Sequence, residues 1–471
     1  MQSLLSHPFF AALRQVSSQH QVTTFAVGGC VRDAMLGRAC KDIDILVLGS
    51  GIDFAQLLAK ALPNKPQVTY FKNFGTAMLR YENLEIELVG ARKESYSHES
   101  RKPVVENGSL TDDLSRRDFT INALALNIYP NFGELTDLFD GEMHLKEQRL
   151  VTPLEPNITF SDDPLRMMRA IRFATQLGFF IDEDTYRAIA HNAERIKIIS
   201  AERITQELNK IMLARKPSVG FKLLFDTGLL KLILPEIHKL QGVKVVNGKA
   251  HKDNFYHTLE VLDNTAASTD NLWLRWAALL HDVAKPATQR FDAVHGWTFH
   301  GHEDLGARWV PNIFAKLKLP LDEKMKYVQK LVRLHLRPIA LVKTEVTDSA
   351  IRRLLFDAGD DIDDLICLCK ADITTKKELQ AAKYRNNMLL VAEKIKEIEQ
   401  KDQLRNWQPP VTGEDIMVAF GIAPSKPVGV IKDCIREAVL DGIIPNKRTE
   451  ALQLMYEKGA EMGLILVHKT T

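Results

Sequence analysis

Cysteine is scarce in this chain and odd in number. Cys30, Cys40, Cys367, Cys369 and Cys434 show no zinc-type spacing and cannot all pair, which argues against a disulfide framework and fits a reducing compartment. Long apolar runs are missing too. None approaches the length of a membrane span, and the opening Met1-Gln2-Ser3-Leu4-Leu5 soon reaches His7, Arg14 and His20, without the apolar core of a signal peptide. A cytoplasmic location and no membrane partner are expected. Charge of one sign is also lacking: 62 basic residues against 60 acidic leave a net charge of +2, so any affinity for nucleic acid must come from local basic surface. There is no internal repeat and no low-complexity tract. What remains is an ordinary globular composition, 45% hydrophobic and 26% charged, in 471 residues, more than one hydrophobic core usually serves; two to four units are expected.

Against that background one stretch stands out. Val27-Gly28-Gly29-Cys30-Val31-Arg32-Asp33 is followed, nine residues after Asp33, by Asp42-Ile43-Asp44 at the head of the apolar run Ile43 to Leu48. In a strand alternate side chains share a face, so Asp42 and Asp44 point together while Ile43 points into the core. Two adjacent carboxylates suit a divalent metal. Gly28 and Gly29 let backbone approach phosphate oxygens, and Arg32 adds a cation for a triphosphate. These are the parts of a two-metal phosphoryl- or nucleotidyl-transfer site.

Patterning divides the chain. Thr24–Val27, Ile43–Leu48, Thr76–Arg80 and Leu84–Val89 read as strands and Phe54–Ala61 as a helix, an α/β unit within residues 22–150. Ala91 to Leu114 is polar and aperiodic and reads as a long loop, the kind that tends to be functional. Past Thr152 helical periodicity dominates, in Leu165–Leu177, Ala201–Ala214, Trp273–Leu280, Lys324–His335 and Leu379–Gln400. Gln408-Pro409-Pro410 with Gly413 breaks the pattern before a last helical unit from Glu414.

Five segments, in order, resemble the class II tRNA nucleotidyltransferases, the family of CCA-adding enzymes and bacterial poly(A) polymerases. Gly28 to Asp33 with Asp42-Ile43-Asp44 is similar to its metal and triphosphate motif, and Arg116-Arg117-Asp118-Phe119-Thr120-Ile121-Asn122-Ala123 to its ribose-sensing motif. Asp137-Leu138-Phe139-Asp140-Gly141 resembles the hinge between head and neck. Asp162-Asp163-Pro164-Leu165-Arg166 resembles the nucleotide-reading motif, with Asp162 where the family usually has Glu, and Ser200-Ala201-Glu202-Arg203-Ile204 resembles the helix cap behind the reader. The match covers roughly the first 215 residues.

The reader can also be understood physically. Asp163 and Arg166 lie three apart at a helix start, with Pro164 at a favoured first-turn position, so their side chains can converge. A carboxylate accepts from the exocyclic amine of cytosine or adenine and opposes the carbonyl that uracil or guanine presents there, which selects CTP and ATP. By resemblance Arg117 and Asp118 hold the ribose 2′-hydroxyl. Arg166, Arg169 and Arg172 recur every three residues, either to track triphosphate or RNA backbone or as a solvated basic face. Glu87, in Glu85-Ile86-Glu87-Leu88, is placed as a third acidic group near the head metals, an exposed acidic strand edge being the alternative.

A second chemistry sits further on. Eight of the fourteen histidines fall between His238 and His335. His257, His281-Asp282, His302 and His335, with Asp372 beyond, look like an HD-type metal phosphohydrolase domain. That resemblance implies one metal on His257, His281, Asp282 and Asp372, and a second completed by His302 and His335, with Lys285 steadying a phosphate. The ion there is a divalent transition metal or Mg2+. The last unit resembles the RNA-binding tail of CCA-adding enzymes with an HD domain, Lys426, Lys432, Arg436, Lys447 and Arg448 being candidate phosphate contacts.

The expected architecture is α+β and multidomain: a polymerase-β-like head with a small mixed sheet (1–150), a helical neck that reads the nucleotide (151–215), an HD domain (216–380) and a helical RNA-binding tail (381–471). The expected activity is template-independent addition of C, C and A to tRNA from CTP and ATP, with Mg2+ at the head and a possible phosphohydrolase in the HD domain. A poly(A) polymerase, a CC-only or A-only enzyme, an HD phosphohydrolase with a nucleotide-sensing head, and a non-catalytic RNA-binding module are the alternatives. Oligomeric state is not encoded in any pattern noted here.

Overall fold

The computed structural model describes residues 1–71, 75–97, 100–343, 347–374, 378–402 and 407–469. Backbone contacts divide the chain into two compact units, Met1–Pro235 and Glu236–Thr471.

The first unit begins with a seven-stranded mixed sheet. Its strands are β1 (Thr24–Val27), β2 (Asp42–Val47), β3 (Val68–Phe71), β4 (Thr76–Tyr81), β5 (Leu84–Gly90), β8 (Leu124–Tyr129) and β9 (Leu135–Asp137). They lie in the order β3-β4-β5-β2-β1-β8-β9, and β2 and β5 form its parallel pair. Alternation sorts the two faces. Ile43, Ile45 and Val47 of β2 join Phe9, Phe10, Leu13, Phe54 and Leu58 from helices Pro8–His20 and Gly51–Ala61 in one core. Burying each such side chain is worth about 1.5–3 kcal/mol, which fixes the register of β2. Asp42, Asp44 and Leu46 consequently face the other way, where Leu46 packs with Phe25, Val27, Leu114, Ala123 and Ala125 in a smaller core.

Residues 91–114 are not the featureless loop expected from their polarity. β6 (Arg92–Ser97) and β7 (Ser100–Asn107) form an antiparallel hairpin, and Leu110–Ser115 is a helix closed by a capping box between Ser109 and Asp112. A two-stranded hairpin needs no alternating apolar face of its own, so its sequence carries no period to read.

Helices Pro156–Asp162, Leu165–Leu177, Glu183–Asn192 and Ala201–Met212 follow in the neck, with Pro217–Asp226 after them. Gly220 lets the last of them cross closely, since a Cβ there would lie 2.4 Å from Ile211 and 2.7 Å from Thr175. Residues 217–226 thus pack on the neck helices.

The second unit is helical, with short two-stranded ribbons. Asn254–Ser268, Leu272–Leu280, His302–Leu317, Glu323–Leu334 and Ile362–Ala371 surround the histidine cluster, and Glu378–Asp402 is a single long helix across position 380. Gly413–Phe420, Lys426–Leu440 and Arg448–Glu461 close around their own core of Ile416, Phe420, Ile431, Ile435 and Met455. Among the described residues no helix is long and apolar enough to cross a membrane.

Candidate active and metal sites

The head carboxylates are set by strand register. Asp44 of β2 stands beside Glu87 of β5 in the parallel ladder, and Asp42 beside Glu85. Asp42 and Glu87 are exposed while Asp44 is half-buried. Burial, with the charges of Glu87 and Asp42, pushes the Asp44 carboxyl up to about 6 against the opposing pull of the Arg117 guanidinium. An acidic group so poorly neutralised fits a divalent cation, the charge that would relieve it.

β1 ends at Val27, opposite Asp44, and turns through Gly28 into helix Gly29–Met35. Gly28 has φ +77, and a Cβ on it would lie 2.8 Å from Nη1 of Arg117 and 3.3 Å from Oδ2 of Asp44. Only glycine meets both demands. Arg117 therefore reaches across the turn to the edge of the carboxylate site. Two of its nitrogens donate to Oδ2 of Asp113, Nε at 3.3 Å and Nη2 at 3.1 Å.

Arg32, expected to hold a triphosphate, is buried and engaged. Nε and Nη2 donate to the two oxygens of Asp33, each at 2.9 Å, and Nη1 donates to Oδ1 of Asn122 at 2.7 Å. The Asn122 amide in turn donates to Asp118 at 2.9 Å. Asp118 also takes Arg169, with Nη2 at 2.6 Å. Burial raises the Asp118 carboxyl, but Arg169 and the Asn122 hydrogen bond outweigh it and hold the group at about 2.

The arginines of helix Leu165–Leu177 are each engaged by protein groups, with Arg166 and Arg169 half-buried and Arg172 buried. Arg166 donates through Nη2 to the carbonyl of Arg116 at 2.5 Å, Arg169 pairs with Asp118, and buried Arg172 lies 2.5 Å from Glu207 of helix Ala201–Met212. The Phe173 ring carries the guanidinium of Arg172 at 3.8 Å, that of Arg32 at 5.0 Å and that of Arg169 at 5.5 Å. Asp163 ends helix Pro156–Asp162 and accepts the Leu165 N–H at 3.1 Å, at the start of the reader helix. Asp137 closes the hinge turn by accepting the N–H groups of Phe139, Gly141 and Glu142.

In the second unit the histidines converge. Oδ2 of Asp282 lies 3.1 Å from Nε2 of His281 and 3.5 Å from that of His257, while Oδ1 lies 3.2 Å from Nε2 of His302 and 3.8 Å from that of His335. Asp282 thus stands between two ligand groups, His257 with His281 and Asp372, and its own carboxylate with His302 and His335. His281, His302 and His335 each face a backbone carbonyl three residues back through Nδ1, at 2.7 Å, from Ala278, Phe299 and Val332. That contact fixes the tautomer and leaves the Nε2 lone pairs aimed inward, and all three Nε2 atoms are buried without an aligned hydrogen bond. Burial and the charge of His281 hold His335 down at about 3, the neutral form a ligand needs. Donor set and orphaned nitrogens fit a divalent metal site. Lys285 donates to Oδ2 of Asp282 at 2.6 Å, so its ammonium is held by the cluster.

In the tail Arg448 bonds both oxygens of Asp415, and Arg436 pairs with Asp433 and Glu437, while Lys426, Lys432 and Lys447 are exposed.

Asp113, Asn122, Phe173 and Glu207 escaped the sequence reading. Asp113 sits three and four residues before Arg116 and Arg117, a helical pairing signal, but in a segment read as loop. Asn122 and Phe173 also have near partners, Asp118 for the first and Arg169 and Arg172 for the second, but their links to Arg32, like that of Glu207 to Arg172, lie too far along the chain for spacing to reveal.

A polymerase-β-like head with paired carboxylates on a mixed sheet, followed by a helical neck and an HD cluster, defines a nucleotidyltransferase. Residues 24–151 match the poly A polymerase head domain, 178–241 the probable RNA and SrmB-binding site of polymerase A, and 254–377 the HD domain. The chain is 32% identical to the A-adding tRNA nucleotidyltransferase of Deinococcus radiodurans over 338 residues, 70% of this chain and 75% of the relative. It is 29% identical to the CC-adding tRNA nucleotidyltransferase of Thermus thermophilus over 452 residues, 92% and 94% of the two chains. Among solved structures the Bacillus stearothermophilus CCA-adding enzyme in complex with CTP shares the fold at TM-score 0.65 and 23% identity, over 96% of this chain and 98% of that one. The chain belongs to the family of tRNA nucleotidyltransferases that includes the CCA-adding enzymes, and it is an enzyme of that family.

Proposed function

We propose that this enzyme completes the 3′ end of tRNA with C, C and A, using CTP and ATP without a nucleic-acid template. Asp42 and Asp44 would hold Mg2+, with Glu87 beside them, and Gly28 and Gly29 would let the triphosphate approach the backbone. The bound metal lowers the pKa of the attacking hydroxyl and neutralises charge gathering at phosphorus. The tRNA 3′-oxygen then bonds to the α-phosphorus as the α–β anhydride breaks and pyrophosphate leaves. Arg117 and Asp118 face the ribose and Asp163 with Arg166 read the base edge. Arg169 and Arg172, held by Asp118 and Glu207, brace the reader, and Arg32 braces the glycine turn. The division at 150, 215 and 380 belongs to this proposal, as does a tRNA contact through Lys426, Lys432 and Lys447 of the tail.

One observation carries the reading. The register that places Asp44 beside Glu87 also brings Asp44 to the glycine turn that Arg117 crosses. The experiment is single-nucleotide incorporation on tRNA ending at the discriminator base, at C, or at CC. Full CCA addition takes CTP on the first two and ATP on the third. ATP on the CC end alone, or CTP on the first two alone, assigns the A-adding or CC-adding activity that two relatives bear in their names. A long A tract assigns a poly(A) polymerase.

A second reading rests on a separate observation, the three buried Nε2 atoms of His281, His302 and His335 around Asp282. They support a metal-dependent phosphohydrolase activity in the HD domain. Its test is metal-stimulated hydrolysis of 2′,3′-cyclic phosphates by the whole chain.

A further inference from the structure

Asp113 is buried to 0% exposure and lies in a helix of six residues, Leu110–Ser115. Its two oxygens serve different guanidiniums. Oδ1 takes Nε of Arg116 at 3.0 Å and also its Nη2, and Oδ2 takes Nε and Nη2 of Arg117. Enclosing a charge is costly, and a packed apolar side chain would build the same helix face more cheaply. What the carboxylate does instead is remove freedom from two long side chains on residues that border the site. Arg117 presents Nη1 at the Gly28 turn beside Asp44, and the main-chain carbonyl of Arg116 receives Arg166 from the reader helix.

We propose that Asp113 is a positioning residue for the incoming nucleotide, acting through Arg117 on the ribose and through Arg116 on the reader. The proposal rests on the ribose-facing role given to Arg117 above. Guanidiniums fixed in advance bind without the ordering cost that free ones incur, so the advantage appears in nucleotide affinity and ribose selectivity. The tRNA-binding surface of the tail does not enter the argument.

The test is a double-mutant cycle in the full-length enzyme: wild type, Asp113→Asn, Arg117→Ala and the double variant, assayed with ATP and with dATP on tRNA ending in CC. Asp113→Asn keeps the shape but turns one acceptor into a donor facing a guanidinium. Its KM for ATP should rise roughly tenfold, the preference for ATP over dATP should fall toward that of Arg117→Ala, and the KM for tRNA should stay put. In ribose preference the double variant should match Arg117→Ala alone, since Arg116 is not placed on the ribose. Should Asp113→Asn not fold, as judged by circular dichroism, Asp113→Glu replaces it; this keeps the charge, shifts the oxygens by one methylene, and should lower the same preference. A folded Asp113 variant with wild-type KM and preference, or losses that add fully in the double variant, overturns the proposal. Retained ribose preference in Arg117→Ala instead overturns the role given to Arg117, and the positioning proposal with it.

Discussion

Arg169 of helix Leu165–Leu177 and Asp118 of the head form a 2.6 Å ion pair that joins two segments some fifty residues apart in sequence. Asp118 is enclosed and Arg169 about a third exposed. The same carboxylate accepts from Asn122, which also holds Arg32. Arg32 beside the glycine turn, Asn122, Asp118 and Arg169 are therefore linked in one hydrogen-bonded assembly.

Breaking that pair should be felt in stability. Arg169→Ala leaves the Asp118 carboxylate enclosed with the Asn122 amide and the Phe119 N–H as its remaining hydrogen-bond donors, and should cost about 2–3 kcal/mol, below the range for a fully buried pair because Arg169 is partly solvated. Urea unfolding of the two proteins measures it, and an unchanged midpoint would show the pair to be incidental.

Acid should act through the same group. Asp118 is held at about 2 against an ordinary 3.8, so the unfolded chain takes up its proton first. The stabilisation, about 2 kcal/mol, is whole above roughly pH 4 and is lost as the pH falls toward 2. The acid limb of a stability-against-pH curve should be shallower in Asp118→Asn than in wild type; superimposable limbs would contradict this.

Substituting Asp163 or Arg166 by Ala should let UTP or GTP enter, with discrimination falling roughly tenfold or more, since a good bidentate base contact is worth about 1–3 kcal/mol. Competition between labelled nucleotides is the measurement. Unaltered choice of CTP and ATP would mean that the Asp163 contact to the Leu165 N–H and the Arg166 contact to the Arg116 carbonyl are their whole purpose.

The two chemistries should separate. Changing His281 and Asp282 to Ala removes candidate ligands from both HD groups, all of which belong to the second unit. Bound divalent metal should fall while nucleotide addition persists. Loss of addition in a folded variant that still binds tRNA would show that the sites are coupled.

How far the sequence carried this picture depended on the physics of each part. β1 and the helix Leu165–Leu177 match their expected bounds because buried β-branched runs and a 3.6 period leave strong marks. Asp42 and Asp44 were legible because alternation along β2 is enforced by Ile43, Ile45 and Val47 in the core. The HD domain was legible from its histidine density and from the resemblance of the ordered His and Asp series, though the placing of Asp282 between two candidate ligand groups was not. The polar sequence of hairpin β6–β7 has no apolar period and left no mark. The arginine stripe is spaced as a basic face would be, yet Asp118 and Glu207 lie about fifty and thirty-five positions from their partners, so its ion pairs emerge only on folding.

The most direct measurement is the sequence of the 3′ ends made by the purified enzyme from tRNA lacking CCA, with CTP, ATP and Mg2+ present, beside Asp42→Ala and Asp44→Ala. Wild type should yield ends completed to CCA and no further, while either variant binds tRNA normally and leaves the ends as supplied. Completed ends from Asp42→Ala or Asp44→Ala would contradict the assignment of the head site.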